Sequence, residues 1–312
     1  MRVIVTGGAG FIGSHLVDAF LARGDEVAVI DDLSAGRMGR LDDRVVLHKV
    51  SVTEPASLAE VIGSVRPALI CHLAAQIDVR ASVVRPAADA QTNVVGTINV
   101  LEAARMVGAR VVFCSTGGAL YGRDAPIPSL EDVLPLPESP YGIGKHCAEQ
   151  YVGLYNRLHD AAHSVLRLAN VYGPRQDPTG ESGVVPIFCS QVLAGVRPTI
   201  FGDGTQTRDY VYVGDAVAAF LAVAGTQRPG TWNIGTGAEV SVLDLARVIG
   251  GVTGLAVHPE LAPGRPGELQ RSALAVERAR LDLGWSATTV LADGVQAVCR
   301  WIEAGTPDRA AL

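Results

Sequence analysis

The β-branched run Arg2-Val3-Ile4-Val5-Thr6 passes directly into Gly7-Gly8-Ala9-Gly10-Phe11-Ile12-Gly13, and a helical pattern from Ser14 to Ala22 follows at once. Three glycines at this spacing between a strand and a helix constrain the chain to one local shape. Gly7 suits a tight turn, Gly10 lets a ligand come close to the backbone, and Gly13 lets the helix pack against the strand. The free N–H groups at the start of that helix then face an anion. A glycine triplet alone also describes a plain tight turn. Asp31, 18 residues past Gly13 at the tip of the next β-branched run, converts the pattern into a pyrophosphate and ribose site. A carboxylate there accepts from a ribose 2′-hydroxyl and repels a 2′-phosphate, which favours NAD over NADP. Arg37 and Arg40 keep the NADP reading open, although neither sits at the strand tip.

Further short apolar runs alternate with helical patterns: Glu26 to Asp31, Val45 to Val50, Ala68 to Leu73, Arg110 to Ser115 and Ser164 to Ala169. Near-continuous apolar strands separated by helices predict an α/β chain with a doubly wound parallel sheet covered on both faces. At 312 residues the chain exceeds what one hydrophobic core usually holds. After Asn170 the texture changes to Gly/Pro-rich loops, Gly173-Pro174-Arg175-Gln176-Asp177-Pro178-Thr179-Gly180 first among them, and marks a smaller mixed α/β C-terminal lobe. The expected division is a dinucleotide-binding domain over 1–169 and a substrate lobe over 170–312. Within the latter, Asp209 to Val213 and Ala216 to Val223 read as a strand and helix, so that 207–235 returns to the first domain.

Net charge is −6 without a basic stripe, which argues against nucleic acid as the main partner. No apolar run reaches the roughly 18 residues of a membrane span. Cys71, Cys114, Cys147, Cys189 and Cys299 are odd in number and form no C-x-x-C, so no disulfide frame or zinc site is expected and no metal is assigned. The N-terminus lacks a signal-peptide pattern, and a reducing cytoplasm is the expected location. His72 reads as a packed, hydrogen-bonded histidine, Trp232 and Trp285 as core aromatics, and Glu131-Asp132 and Asp42-Asp43-Arg44 as solvated loops.

Only two of the 26 basic residues are lysine, and one of them, Lys145, stands four residues after Tyr141. A chain that otherwise uses arginine has kept a compact ammonium there. Residues four apart share a helix face, so the ammonium lies beside the phenol and can draw it from its ordinary pKa of about 10 toward the ionised form of a general base. Taken alone, Tyr-x-x-x-Lys also describes surface helix decoration.

The glycine loop, His72-Leu73-Ala74-Ala75-Gln76, Asn93 in Thr92-Asn93-Val94-Val95-Gly96-Thr97, Ser115-Thr116 before Tyr121-Gly122, and Tyr141-x-x-x-Lys145 together resemble the extended short-chain dehydrogenase/reductase family and its Rossmann-type fold. In the second half, Arg167-Leu168-Ala169-Asn170-Val171-Tyr172-Gly173-Pro174-Arg175-Gln176, Gly180-Glu181-Ser182-Gly183-Val184-Val185, Phe201-Gly202-Asp203-Gly204, Arg208-Asp209-Tyr210-Val211 and Arg265-Pro266-Gly267-Glu268 resemble the bacterial UDP-glucose 4-epimerases. The resemblance covers Met1 to about Trp301. It implies an isomerase that inverts C4 of a UDP-hexose through a transient 4-keto sugar, with NAD as bound cofactor, and a homodimer.

Residue by residue, the resemblance places the cofactor against Gly7, Gly10, Phe11, Ile12 and Gly13, then Asp31, Asp32, Ser34 and Gly36, then Ser51 and Val52. Leu73, Ala74, Ala75, Asn93, Ser115, Tyr141 and Lys145 complete that side. It places the UDP-sugar against Gln76, Thr116, Asn170, Val184, Thr199, Phe201, Arg208, Arg265, Glu268 and Ser272, with Phe201 on the uracil. Two arginines from different segments suit a diphosphate, which guanidinium groups bind bidentately. Thr116, Tyr141 and Lys145 form the implied catalytic set.

Two departures stand out. The slot usually holding the family's catalytic hydroxyl, four residues before Tyr121, is Gly117, so Thr116, Ser115 or a water must take its place. Where the family often has an acidic residue near the adenine amine, this chain has Ser51. A 4,6-dehydratase needs Asp-Glu where Gly118 and Ala119 stand, and a UDP-uronate 4-epimerase tends to have arginine where Asp177 stands. UDP-N-acetylglucosamine remains an alternative substrate. A non-catalytic NAD sensor on this fold remains the reading from another class, against which the retention of both Tyr141 and Lys145 counts.

Overall fold

The computed structural model describes residues 1–178, 183–264, 269–306 and 308. The first half runs β1 (Arg2–Thr6), α1 (Phe11–Ala22), β2 (Glu26–Ile30), β3 (Val46–His48), α2 (Pro55–Val65), β4 (Leu69–His72), α3 (Val79–Val84), α4 (Pro86–Ala90), α5 (Gly96–Val107) and β5 (Arg110–Thr116). It continues with α6 (Pro140–His159), β6 (Ser164–Leu168), β7 (Asn170–Tyr172), α7 (Val184–Leu193), β8 (Thr199–Phe201), β9 (Thr207–Arg208) and β10 (Tyr210–Tyr212). Last come α8 (Val213–Ala224), β11 (Gly230–Ile234), β12 (Val240–Ser241), α9 (Val242–Thr253), β13 (Glu260–Ala262), α10 (Glu277–Leu283) and α11 (Leu291–Glu303). All six β-branched runs of the first half form strands.

Successive strand residues point to opposite faces, and the sequence fills both faces. Val3, Val5, Val27, Val29, Leu69 and Cys71 pack into one core with Leu16, Phe20 and Phe220. Their neighbours Ile4, Ala28, Ile30 and Ile70 pack into another with Leu58, Leu101 and Val152. Every strand pair in the sheet is parallel, and the seven strands follow the order β11-β6-β5-β4-β1-β2-β3. The order reverses beside β1, where the carboxyl ends of β1 and β4 open the crevice in which such sheets take ligands.

The segment beyond β6 contributes at two places. Strand β11 extends the sheet beside β6, and α8 packs on α1. Helices α7, α9 and α11 enclose a third core around Phe188, Leu245 and Val298, with the small pairs β10–β7, β12–β9 and β13–β8 around it. Among the described residues no helix is long and apolar enough to cross a membrane. One boundary differs from the sequence expectation: α1 begins at Phe11, not Ser14. Gly13 therefore lies inside the helix, and Gly10 caps it without a side chain.

Candidate active site

The three glycines form a close-packed knot. Gly7 sits at φ +69°, and a Cβ there would meet the Ala74 nitrogen at 2.7 Å. At Gly13 a Cβ would lie 2.1 Å from the Gly7 carbonyl oxygen, so α1 leans on the loop by main chain alone. A Cβ on Gly10 would meet only the Gly7 oxygen, at 3.1 Å among the described residues. The outer side of the loop is thus approachable, and the first N–H groups of α1, with Phe11 and Ile12, point there without a side-chain cap. This cradle fits a pyrophosphate.

Asp31 follows β2 and is buried. One oxygen accepts from Leu33 N at 2.8 Å and the other from Ala9 N at 3.0 Å, which ties the end of β2 to the glycine loop. Burial raises its carboxyl from the ordinary value, while the N–H bonds pull it back. Gly36 packs against that carboxylate, since a Cβ there would lie 2.8 Å from Oδ1, and Asp32 Oδ1 accepts from both Ser34 N and Oγ. Arg40 is buried with Nη1 3.5 Å from the Ala9 oxygen, and exposed Arg37 reaches toward Asp177. Ser51 shares a hydrogen bond with Thr53, and Val52 lies against Gly96.

A chain of hydrogen bonds fixes the floor between β1 and β4. The Ala74 N–H donates to Thr6 Oγ1, His72 joins Thr6 Oγ1 to Thr97 Oγ1, and Thr97 donates to the Asn93 oxygen. Thr97 therefore accepts from His72 Nε2–H, leaving Nδ1 to accept from Thr6. Burial drops the imidazole pKa to about 3, so it stays neutral and structural. Leu73 N donates to the Thr6 oxygen, and Leu73 to Ala75 line the crevice edge. Asn93 lies in a π-helical turn, Gln91–Val95, and accepts from Gln76 N while donating to Gln76 O.

Helix α6 starts where Ser139 accepts from Gly142 N and Pro140 occupies the first turn, and the Tyr141 N–H donates to Ser82 Oγ. The Tyr141 phenol lies beside Thr116, whose Oγ1 accepts from the Ala119 N–H at 3.3 Å. Lys145, 3% exposed, donates to the Cys114 oxygen at 3.0 Å and lies 4.8 Å from the Phe113 ring centroid. The Ser115 hydroxyl points elsewhere, donating to Glu149 Oε1 at 2.5 Å. Period-two alternation thus separates the two candidate hydroxyls. The expectation that Lys145 draws Tyr141 toward phenolate meets an opposing effect: burial pushes the phenol well above its ordinary value, with Cys114 and Asp89 adding to the rise. The slot at Gly117 is filled by Leu274: a Cβ there would lie 2.4 Å from Leu274 Cδ1, so that side chain would have to shift to admit one.

Of the residues expected at the substrate, Asn170 has a buried Oδ1 with no hydrogen-bond partner among the described residues, and it faces Gly118. Val184 opens α7 after Gly183, again without a side-chain cap. Thr199 and Phe201 bound β8, and Arg208 lies on β9. Ser272, 8% exposed, borders a small cleft with Gly117, Gly118, Tyr121 and Ile127. Arg265 and Glu268 lie outside the described residues, as does the expected Gly180-Glu181-Ser182 stretch.

Residues 3–235 match the family model described as NAD dependent epimerase/dehydratase family. The chain belongs to that family. It is 47% identical over 302 residues to the UDP-glucose 4-epimerase of Mycolicibacterium smegmatis, covering 95% of this chain and 96% of the relative. The UDP-glucose 4-epimerase of Thermotoga maritima, solved with UDP-glucose, superposes with a TM-score of 0.96 at 40% identity, over 98% of this chain and 99% of that one. The enzyme of the same name from Thermus thermophilus, solved with NAD, gives a TM-score of 0.91 at 38% identity, over 97% and 99%.

Beside this epimerase/dehydratase frame stand residues the sequence reading passed over. Asp89 is 1% exposed; Oδ1 accepts from Gln76 Nε2 and Asn93 Nδ2, while Oδ2 has no hydrogen-bond partner among the described residues. Glu149 and Arg167 form a buried pair. The signals were present: Glu149 continues the Tyr141, Lys145 face at the same spacing of four, and a charge inside the apolar run Ser164 to Ala169 demands a buried partner. Glu131 corrects an expectation. Its neighbour Asp132 is exposed, but Glu131 is buried because its Oε1 accepts from the Asn233 N–H at 2.9 Å.

Proposed function

We propose that the chain is an NAD-dependent epimerase that inverts C4 of a UDP-hexose, interconverting UDP-glucose and UDP-galactose through a transient 4-keto sugar. The observation that carries this is Tyr141 placed beside Thr116, one helical turn before a buried Lys145, on a family frame shared along nearly the whole chain with UDP-glucose 4-epimerases. Residues 1–169 with 207–235 would hold the dinucleotide, and the rest of 170–312 the nucleotide sugar.

The glycine cradle would hold the NAD pyrophosphate, with Asp31 at the adenosine ribose. Bound there, NAD would supply the hydride acceptor and donor for oxidation and re-reduction at C4, with no net consumption. Tyr141 removes the 4-hydroxyl proton and later returns it, and Thr116 holds the same sugar oxygen. Lys145 supplies the cation beside the phenol. A cofactor cation in this partly dry site adds to the effect, and each unit by which the phenol falls corresponds to about 1.4 kcal/mol of differential stabilisation. Arg208, with Arg265, would grip the diphosphate, so that the hexose can turn while the UDP stays fixed.

Side chains at the two ends of the site carry one prediction each. With Asp31 at the ribose, the purified protein carries NAD. Mass spectrometry of the supernatant after denaturation checks this, and a dominant NADP signal would refute the assignment. At the other end, serine at 272 avoids the bulk of an aromatic ring that would overlap a 2-N-acetyl group, so UDP-N-acetylglucosamine is expected to be turned over beside UDP-glucose. Ser272→Tyr overpacks that space at about 1–3 kcal/mol and lowers the N-acetylated substrate selectively, roughly 5- to 150-fold. Equal loss of both substrates in the variant would remove Ser272 from the sugar pocket.

A homodimer is part of the proposal. Ile143, Cys147, Leu154 and Leu158 fall on one stripe of α6, with Ile143 and Leu158 largely exposed, and Met106 and Val95 are exposed on and just before α5. Two such helices from each copy would bury these apolar side chains together.

A further inference from the structure

The Glu149–Arg167 pair lies directly behind the reacting groups, with side chains 4% and 8% exposed. Arg167 Nε and Nη2 grip both carboxylate oxygens at 2.7 to 3.1 Å. From this centre one arm runs to the dinucleotide side, where Glu149 holds the Ser115 hydroxyl. Ser115 is the residue before Thr116, so pinning its side chain on one face of β5 fixes Thr116 on the other, toward Tyr141. Glu149 also shares the α6 face that carries Tyr141 and Lys145.

A second arm runs to the substrate side. Arg167 Nη1 donates to the Tyr121 hydroxyl at 2.8 Å and to the Glu131 carbonyl at 2.9 Å, and Tyr121 in turn donates to Asn233 Oδ1 at 2.8 Å. Asn233 Nδ2 then holds the carbonyls of Ser129 and Ala275. Ser129 pairs with Leu274 as an isolated parallel bridge, through Ser129 N to Ala273 O and Ala275 N to Ser129 O. That paired segment begins beside Ser272. One guanidinium is thus hydrogen-bonded, in two and three steps, to the strand end bearing Thr116 and to the segment bearing Ser272.

We propose that the buried Glu149–Arg167 pair is a positioning centre that sets the sugar-facing segment at Ser272 and the Thr116–Tyr141 hydroxyls in one register. The inference rests on the epimerase reading above. Neither residue touches the reacting atoms in this arrangement; each acts through Ser115 or Tyr121.

Removing either charge leaves its partner buried and unpaired and can unfold the chain, so the arms are cut at their neutral ends. Ser115→Ala loosens only the Thr116 side, and kcat for UDP-galactose falls about tenfold with KM unchanged. Tyr121→Phe loosens only the substrate side, and KM rises about fivefold with kcat nearly unchanged. Ser115→Thr, which restores the hydroxyl, returns kcat toward the wild type. Lowered melting temperatures with wild-type kcat and KM in both variants would overturn the proposal and leave a purely structural ion pair, and so would equal shifts of both constants in both variants. A wild type without any epimerase turnover would instead fail the functional reading, and this inference with it.

Discussion

Tyr141→Phe keeps the fold and the bound NAD and loses turnover by roughly 10²- to 10⁴-fold, the range ascribed to a positioned proton-transfer group. Only the hydroxyl beside Thr116 is removed, and the ring still fills its place at the start of α6. Turnover within a few-fold of wild type would exclude Tyr141 as the proton carrier. The ionisation of the phenol supplies a second reading of the same site. Burial raises it in the protein alone, whereas a cofactor cation favours the phenolate. The phenolate absorbance that Tyr141→Phe removes should therefore appear above the ordinary pKa of about 10 in NAD-free protein and at lower pH once NAD is bound. Lys145→Arg also loses activity, because a planar fork does not fit where a 3%-exposed ammonium meets the Cys114 carbonyl.

Gly13→Ala costs the protein its cofactor. The added methyl lies 2.1 Å from the Gly7 oxygen, and Gly7 is itself held at φ +69° against the Ala74 backbone. Neither contact is a flexible side chain, so α1 must lift from β1, at about 1–3 kcal/mol or more for overpacking. The lift withdraws the helix N–H groups from the pyrophosphate. Thermal denaturation should show a lowered midpoint, and added NAD should no longer raise it. Gly10→Ala separates the two effects: among the described residues its methyl meets only the Gly7 oxygen, at 3.1 Å, so the midpoint of the apoprotein falls far less than in Gly13→Ala while NAD is excluded. NAD at wild-type occupancy in Gly13→Ala would show that the close approach of α1 to the loop does not matter for binding.

The parallel sheet was legible because strands buried on both faces leave a direct trace, as in Val3-Ile4-Val5 with its neighbours split between two cores. The glycine loop was legible for a similar reason: Gly7 and Gly13 answer main-chain contacts that a Cβ would break, while Gly10 keeps the outer side of the loop open. What the sequence hid depends on which face a side chain takes once distant elements pack together. Ser115 and Thr116 are adjacent hydroxyls, and only the register of β5 against α6 directs one to Glu149 and the other to Tyr141. Glu131 looked like loop surface until β11 brought Asn233 against it. The start of α1 was misplaced by three residues because Phe11 and Ile12 read as part of the loop, whereas the helix begins as soon as Gly10 has turned the chain.

The central claim is that one site oxidises and re-reduces C4 of a UDP-hexose while keeping the transferred hydrogen. The most direct measurement is to incubate the purified protein with UDP-galactose carrying deuterium at C4 and to analyse the nucleotide sugar by chromatography and mass spectrometry. The proposed mechanism gives UDP-glucose with the deuterium retained at C4. No UDP-glucose, or UDP-glucose whose label has been lost to solvent, would contradict it.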